Sequence, residues 1–363
     1  MNAYRSLRHV TDARGPFASV YVDSSHDTED AARAIELRWR ATRQALQEQG
    51  ADEPTITAVG EAIDDGVPTI GRGGRAIVAT GGEVLIDQRL PDAPPVPVAR
   101  VSELPYLMPV LAARRSGVPH VVATVDRIGV DLRAVDATGD LVASYAREGA
   151  RHPVHKVGGG GRAHQPIQRR VEQTVDTNVA DIAAEIDTAV RRVGADLLAL
   201  VGEVRARSAV THALSHRAAE VCVEVTAGAR AAGANTHAVE QRVHQLIDAR
   251  QDQHEDEVLQ RFRAEQGRDQ GLAVDGLAGT ASALRDANVA TLFVGDTALS
   301  DAMVWTNRDP FAVAAEAAAL DGDAESVRAD EALPYAALTT GATIVVTDGL
   351  DLRDGVGALL RHP

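Results

Sequence analysis

The sequence has little of several residue types on which common functions depend. It contains a single cysteine, Cys222, so no disulfide can form within the chain. Aromatic residues make up only 3% of the chain, so aliphatic side chains must build most of the core. Lys156 is the only lysine, and arginine supplies the other basic side chains. The longest apolar runs, such as Ala195 to Val201, which Asp196 interrupts, are far too short to span a bilayer, so we expect no membrane partner.

The N-terminus and the net charge argue against two further kinds of protein: secreted proteins and proteins that coat nucleic acid. Residues 1–10 lack the apolar core of a secretory signal, and a chain with one thiol suits a reducing compartment, so the sequence predicts a cytoplasmic location. The formal net charge is −15, which argues against bulk attraction to nucleic acid, and we expect no DNA partner. Cys222 lies in an alternating apolar run, which predicts a structural side chain and not a reactive thiol.

Apolar periodicity predicts a mixed α/β fold with three domains, over residues 1–116, 117–266 and 267–363. The central domain is expected to combine a mixed sheet with long helices, and the last domain to be an α/β sandwich. The predicted strands of the central domain are His120–Asp126, Val130–Asp136, Leu141–Arg147 and Leu197–Val201, and its predicted helices are Pro166–Val193, His212–Glu220 and Thr236–Gln266. In the last domain, Pro310–Leu320 is expected to be rich in helix, and residues 321–330 to form a linker.

One stretch concentrates positive charge in this acidic chain. Residues 147–170, which we call the basic segment, contain one acid, Glu148, beside six basic residues: Arg147, Arg151, Lys156, Arg162, Arg169 and Arg170. Arginine, lysine and exposed backbone amides are the groups that bind RNA phosphates, and the following helix offers its N-terminus to an anion. The segment therefore predicts a local RNA-binding site, although a solvated loop would have the same composition.

The loop at residues 149–165 carries four consecutive glycines: Gly158, Gly159, Gly160 and Gly161. Glycine allows a close approach of backbone to a partner, because it has no side chain. The loop lacks the Lys-Ser/Thr ending of a phosphate-binding P-loop. His212 and His216 have the spacing of zinc ligands, but Ala213 stands where a zinc protease needs glutamate. The sequence thus points to no metal and no cofactor.

Several segments together resemble a known family. The bacterial archaeo-eukaryotic release factors, which are similar to Pelota, share the order of a strand meander, a glycine-rich loop, a long helix and a buried strand. The chain is most similar to their actinobacterial branch, to which the ribosome-hibernation factor Balon belongs. The segments that carry the resemblance are Gly15–Asp27, Leu197–Gly202, Gly202–Arg205, Gly276–Gly295, Arg328–Tyr335 and Gly355–Arg361.

The resemblance implies a translation factor that occupies the ribosomal A site and contacts rRNA, as a hibernation or stress factor. It also implies a first domain at the decoding centre, and a third domain that helps to hold a GTPase, which is elongation factor Tu in the Balon-like proteins. True release factors use a Gly-Gly-Gln tip, whereas here Arg162, Ala163 and His164 separate the glycines from Gln165.

The interrupted triplet leaves enzyme activity open. Binding without chemistry is the first hypothesis, and cleavage of peptidyl-tRNA in rescue or release, assisted by Gln165 or His164, is the alternative. A scaffold that never meets the ribosome is a third possibility.

Overall fold

The computed structural model describes residues 7–26, 31–64, 69–70, 73–90, 92–113, 118–126, 129–136, 141–148, 164–226, 236–295, 299 and 301–363. The chain divides into two compact units. The central unit covers residues 116–255, and the composite unit joins residues 2–115 to residues 256–363. The mixed α/β class is confirmed. The boundaries of the three domains stay a prediction.

The first segment of the composite unit contains a four-stranded antiparallel sheet in the order β5-β4-β1-β6. Two helices, α2 and α3, cover one face, where Leu46, Ile56 and Val59 pack on buried strand residues. The elements are α1 (Arg8–Asp12), β1 (Phe17–Asp23), β2 (Ser25–His26), α2 (Ala31–Glu48), α3 (Glu53–Asp64), β3 (Thr69–Ile70), β4 (Gly74–Thr80), β5 (Glu83–Leu90), β6 (Val98–Ser102) and α4 (Met108–Ala113).

The central unit contains a five-stranded mixed sheet in the order β11-β10-β7-β8-β9. Strand β10 pairs in parallel with both β7 and β11, and every residue of β10 is buried, because helices cover both faces of the sheet. The elements are β7 (His120–Val125), β8 (Gly129–Val135), β9 (Leu141–Glu148), α5 (His164–Val193), β10 (Leu197–Gly202), α6 (Val204–Ala213), α7 (His216–Glu220), β11 (Cys222–Val225) and α8 (Thr236–Gln266).

The second segment of the composite unit contains a sheet in the order β12-β18-β13-β17 and a separate three-stranded sheet, β15-β14-β16. The last turns of α8 also pack here, where the ring centroids of Phe262 and Phe293 are 5.0 Å apart. The elements are β12 (Ala273–Asp275), α9 (Leu277–Arg285), β13 (Val289–Val294), β14 (Met303–Arg308), β15 (Phe311–Ala314), β16 (Glu325–Arg328), α10 (Ala329–Thr340), β17 (Thr343–Val346) and β18 (Val356–Leu360).

One apolar core joins the two segments of the composite unit. Leu7, Tyr21 and Leu107 belong to the same buried cluster as Leu284 and Leu333. Removal of this apolar surface from water stabilises both segments together, since neither covers its share of the core alone.

A cluster of buried charges adds a second link between these segments. The Arg100 guanidinium of β6 donates from Nη1 to Glu331 Oε1 at 2.9 Å and to Asp330 Oδ2 at 3.3 Å. Arg328 donates to Asp330 at 3.0 Å, and the Arg100 guanidinium carbon lies 3.8 Å from the centroid of the Tyr106 ring. Two arginines therefore balance two buried carboxylates, which also occupy the first turn of α10, where negative charge is favoured.

Three sequence-based expectations are wrong. The stretch expected to be helical at Pro310–Leu320 forms strand β15 and a single 3-10 turn at Ala317–Ala319, because Phe311–Ala314 pairs with β14. The expected linker at residues 321–330 contains β16 and the start of α10.

The third wrong expectation is a continuous helix over His212–Glu220. Leu214 and Ser215 have extended backbones, and the Ser215 hydroxyl accepts from the Ala218 amide as the N-cap of a new helix. Among the described helices, none has a stretch long and apolar enough to cross a membrane.

Candidate functional site

The basic segment joins the edge strand β9 of the central sheet to the 30-residue helix α5. Arg147 is the penultimate residue of β9, and Arg169 and Arg170 lie in the second turn of α5. His164 and Gln165 are the first two residues of α5. The other predicted site residues lie outside the described residues: Arg151, Lys156, Gly158, Gly159, Gly160, Gly161 and Arg162. The RNA-binding role of the whole set stays a prediction.

The strand that leads into the basic segment is held by a regular ladder. Strand β9 pairs antiparallel with β8 along its length, from Leu141 opposite Val135 to Glu148 opposite Gly129. Strand β8 in turn pairs with β7 at the centre of the sheet. The N-terminal end of the basic segment is therefore fixed to the core of the central unit.

The helix that follows the basic segment is fixed by its C-terminal half. Ile182, Ile186 and Val190 are buried at spacings of four and pack with residues of β7 and β8. Asp187 accepts hydrogen bonds from the Ser215 amide and hydroxyl, the latter at 2.8 Å, which ties α5 to α7. The apolar spacing that predicts this helix is thus also the spacing that anchors it.

The N-terminal turn of α5 is suited to anions. The first turn contains no acidic residue, and Arg169 and Arg170 follow in the next turn. The first backbone N–H groups of any helix lack intrahelical partners, and the helix dipole favours negative charge at this end. In a chain of net charge −15, this combination makes the start of α5 a candidate phosphate site.

The two histidines with zinc-like spacing fall in different helices. His212 lies at the end of α6, with Nδ1 2.6 Å from the Ser208 carbonyl, and His216 opens α7, with Nδ1 3.4 Å from Glu220. Within the described ranges, no group of three or more His, Cys, Asp or Glu residues could hold a metal ion.

Cys222 is half-buried at the start of β11. Burial and the neighbouring Glu224 carboxylate raise the pKa of its thiol to about 11. The thiol is therefore protonated near neutral pH, which suits the structural role that the sequence predicts.

Sequence reasoning missed a buried arginine beside the end of β10. Arg207 is only 2% exposed, and its Nη1 donates to the Val225 carbonyl. Its Nε lies 3.2 Å from Glu224 Oε2 without hydrogen-bond geometry, so this contact is an ion pair. Arg207 thereby ties α6 to β11, and only the apolar positions around it, Ala206 and Val210, mark that face as buried.

The residue at position 202, shortly before α6, is glycine because a side chain would not fit there. Gly202 has φ of +141°, and a Cβ there would lie 2.0 Å from the Val125 carbonyl oxygen of the adjacent strand β7. Any other residue would push β10 away from β7. Gly202, the first residue of the motif Gly202–Arg205, therefore serves the packing of the central sheet.

Comparison with known proteins gives a family match at this unit. The model of "Bacterial archaeo-eukaryotic release factor family 2" matches residues 119–268. Two Mycobacterium tuberculosis proteins, Rv2629 of strain H37Rv and MT2704 of strain CDC 1551 / Oshkosh, are each 36% identical over 362 residues. The alignment covers 98% of this chain and 96% of each relative.

The solved structures that this chain matches include two archaeal proteins and one from yeast. The archaeal translation termination factor aRF1 is 13% identical, with 99% of this chain and 97% of that chain covered and a TM-score of 0.28. Archaeoglobus fulgidus Pelota is 13% identical, with 98% and 92% covered and a TM-score of 0.32. Saccharomyces cerevisiae Dom34 is 10% identical, with 80% and 79% covered and a TM-score of 0.38. At these scores the likeness supports no functional argument.

Proposed function

Because the chain belongs to the bacterial archaeo-eukaryotic release factor family, we propose that it is a translation factor that associates with the ribosome. The observation that carries this proposal is the position of the basic segment. It leaves the sheet at the end of β9, and it re-enters the fold at a helix N-terminus that has no acid in its first turn. Both features favour a partner rich in phosphate, and the ribosome is the RNA particle on which release factors act.

The reach of the basic segment supports a contact beyond the central unit. An extended residue advances about 3.4 Å, so the chain between Glu148 and His164 can extend at most about 25 Å outward and return. Its ends are held by the β8–β9 ladder and by the packed half of α5. The chain between these ends carries arginine, lysine and glycine in an otherwise acidic protein.

The finer proposal concerns the state of the ribosome and the partner. We propose that the chain occupies the A site as a hibernation or stress factor of the actinobacterial branch, contacts rRNA, and acts together with elongation factor Tu. Similarity to the Balon-like proteins supports this version. Under this proposal the chain works in the cytoplasm and needs no cofactor.

Peptidyl-tRNA cleavage is the competing proposal, and one observation favours keeping it. Gln165 lies in the first turn of α5, and in the sequence three residues separate it from the glycine run. A catalytic glutamine must come within hydrogen-bond reach of the attacking water or the ester. A residue fixed at a helix start has less freedom to do so than one at a loop tip, so we favour binding without chemistry.

A single reconstitution separates these proposals. Ribosomes that carry labelled peptidyl-tRNA are incubated with the protein, and both pelleted protein and released peptide are measured. We expect binding without release, and we expect Gln165→Ala to bind like the wild type. The matched control is Gln260→Ala, at an exposed position of α8. Release that disappears in Gln165→Ala but not in Gln260→Ala would establish the hydrolase, and absence of binding would refute ribosome association.

The single lysine offers an independent readout of the same proposal. An amine-reactive cross-linker can attach only at Lys156 and at the N-terminus, because the chain has no other primary amine. We expect Lys156 to give cross-links to ribosomal proteins near the bound site, and Lys156→Arg to abolish them. Cross-links confined to the N-terminus would contradict a ribosomal contact at the basic segment.

A further inference from the structure

One face of the three-stranded sheet β15-β14-β16 packs against helices of the composite unit. Helices α9 and α10 pack on it, and the central strand β14 buries Val304 and Thr306 on that side. Val313 of β15, which pairs with Thr306, is fully buried as well. Because side chains alternate along a strand, the other residues of β14 must point away from these helices.

The opposite face of this sheet exposes apolar side chains. Met303 is 48% exposed, and Trp305, two residues further along β14, is partly exposed. Neither residue belongs to the apolar clusters formed by the described residues. Asn307 continues this face: its Nδ2 donates to the Asp321 carbonyl, and its buried Oδ1 has no partner among the described residues. We call Met303, Trp305 and Asn307 the outer face.

The stretch of chain that carries the outer face is acidic in sequence. The stretch 299–328 holds two basic residues, Arg308 and Arg328, and six acids: Asp301, Asp309, Glu316, Asp321, Asp323 and Glu325. Both arginines already pair with carboxylates of this chain. Arg308 pairs with Glu103 and Glu325, and Arg328 pairs with Asp330. The stretch is thus acidic, and both of its arginines already form ion pairs within this chain.

We propose that the outer face docks a protein segment that carries arginine beside an apolar side chain. Met303 and Trp305 supply apolar contact, and a guanidinium can stack on the indole ring. The acids of this stretch attract the cation. The same acids repel phosphates, so RNA is disfavoured here. This inference concerns the composite unit alone, and it does not depend on ribosome binding.

Two probe peptides test the proposal on the full-length protein. One is a labelled ten-residue peptide of alternating arginine and leucine, and the other has glutamine in place of arginine. Fluorescence anisotropy with the wild-type protein is expected to show at least about tenfold tighter binding of the arginine peptide. Equal binding of the two peptides, or no binding of either, would overturn the proposal.

Tryptophan fluorescence locates the binding site. The chain has two tryptophans, so Trp39→Phe leaves Trp305 as the only indole. Addition of the arginine peptide is expected to shift the emission of this variant. An unchanged emission while the labelled peptide binds would place the peptide elsewhere and overturn the proposal.

Charge reversal provides the matched comparison. Asp321→Lys with Asp323→Lys is expected to weaken binding of the arginine peptide about tenfold. The control, Asp348→Lys with Asp351→Lys, makes the same charge change at exposed acids outside this sheet, and less than about a twofold loss is expected. Equal losses would show that net charge, and not the outer face, attracts the peptide.

Discussion

Replacement of Arg100 by methionine tests whether the buried charge cluster joins the two segments of the composite unit. The side chains of Asp330 and Glu331 are only 5% and 3% exposed, so loss of Arg100 leaves two buried carboxylates with Arg328 alone nearby. Removal of one partner of a buried ion pair costs about 3–5 kcal/mol. Arg100 is itself 22% exposed and Arg328 remains, which lowers the expected loss to about 3 kcal/mol. For a unit of this size, that is a fall in Tm of roughly 6–12 °C.

The loss should depend on pH because Glu331 is buried. Burial raises the pKa of Glu331 above its usual 4.5, and the Arg100 guanidinium opposes this rise. A carboxyl with a raised pKa in the folded state favours folding while protonated, and that contribution is lost as pH rises through the folded pKa. Without Arg100 the pKa rises further, so Arg100→Met should destabilise the protein more at pH 8 than at pH 5.

Urea unfolding followed by tryptophan fluorescence measures this effect selectively. Trp39 and Trp305 both lie in the composite unit, and the chain has no other tryptophan. Arg43→Met is the matched control, since the Arg43–Glu53 pair is about half exposed and should contribute less than about 1 kcal/mol. Adding Glu331→Gln to Arg100→Met should recover part of the loss by removing the unpaired charge. A loss no larger than that of Arg43→Met, or one independent of pH, would refute the reasoning.

Three further predictions follow from the fold. Trp39→Phe and Trp305→Phe should unfold at the same urea concentration, because the two segments that carry the remaining indoles share one core; separate midpoints would support independent first and third domains. A chain that ends at residue 270 should lose protease resistance in residues 7–113, since Leu284 and Leu333 complete the core around Tyr21; a resistant fragment would contradict this. Cys222 should react slowly with a thiol reagent at pH 7.5 and faster toward pH 11, and Cys222→Ser should retain ribosome binding. Fast labelling together with loss of ribosome binding would contradict a structural role for this thiol.

The core of the central unit could be predicted from sequence because its signals are local. The apolar stripe of α5 repeats every three or four residues, which predicts a helix and its buried face. The continuous apolar run of β10 predicts a buried strand. The hairpin of β4 and β5 was equally predictable. Gly81 and Gly82 supply the positive φ that its turn needs.

The composite unit was harder to predict because its determinants are far apart in sequence. Asp330 looks like a solvated linker residue until Arg100, 230 positions away in sequence, is placed beside it. Strand β15 looks helical because it opens an alanine-rich stretch, and only its pairing with β14 makes it a strand. Local periodicity does not predict which distant segments of the chain will pair.

The basic segment was predictable as a charge pattern but not as a geometry. Its six arginine and lysine residues stand out against the acidic composition of the chain. The structure adds the strand that leads into it and the helix that follows it. How Arg151, Lys156, Arg162 and the four glycines meet a partner stays a prediction from composition and family resemblance.

The central claim, that the basic segment binds ribosomal RNA, is tested most directly by sedimentation with 70S ribosomes at several salt concentrations. The variant carries Arg162→Glu, Arg169→Glu and Arg170→Glu, and the control carries the same change at three exposed arginines, Arg192, Arg205 and Arg261. The wild type and the control should pellet with ribosomes and lose affinity as salt rises, whereas the variant should lose binding or lower the log–log salt slope by about 2. A variant with unchanged affinity and unchanged salt slope would contradict the account.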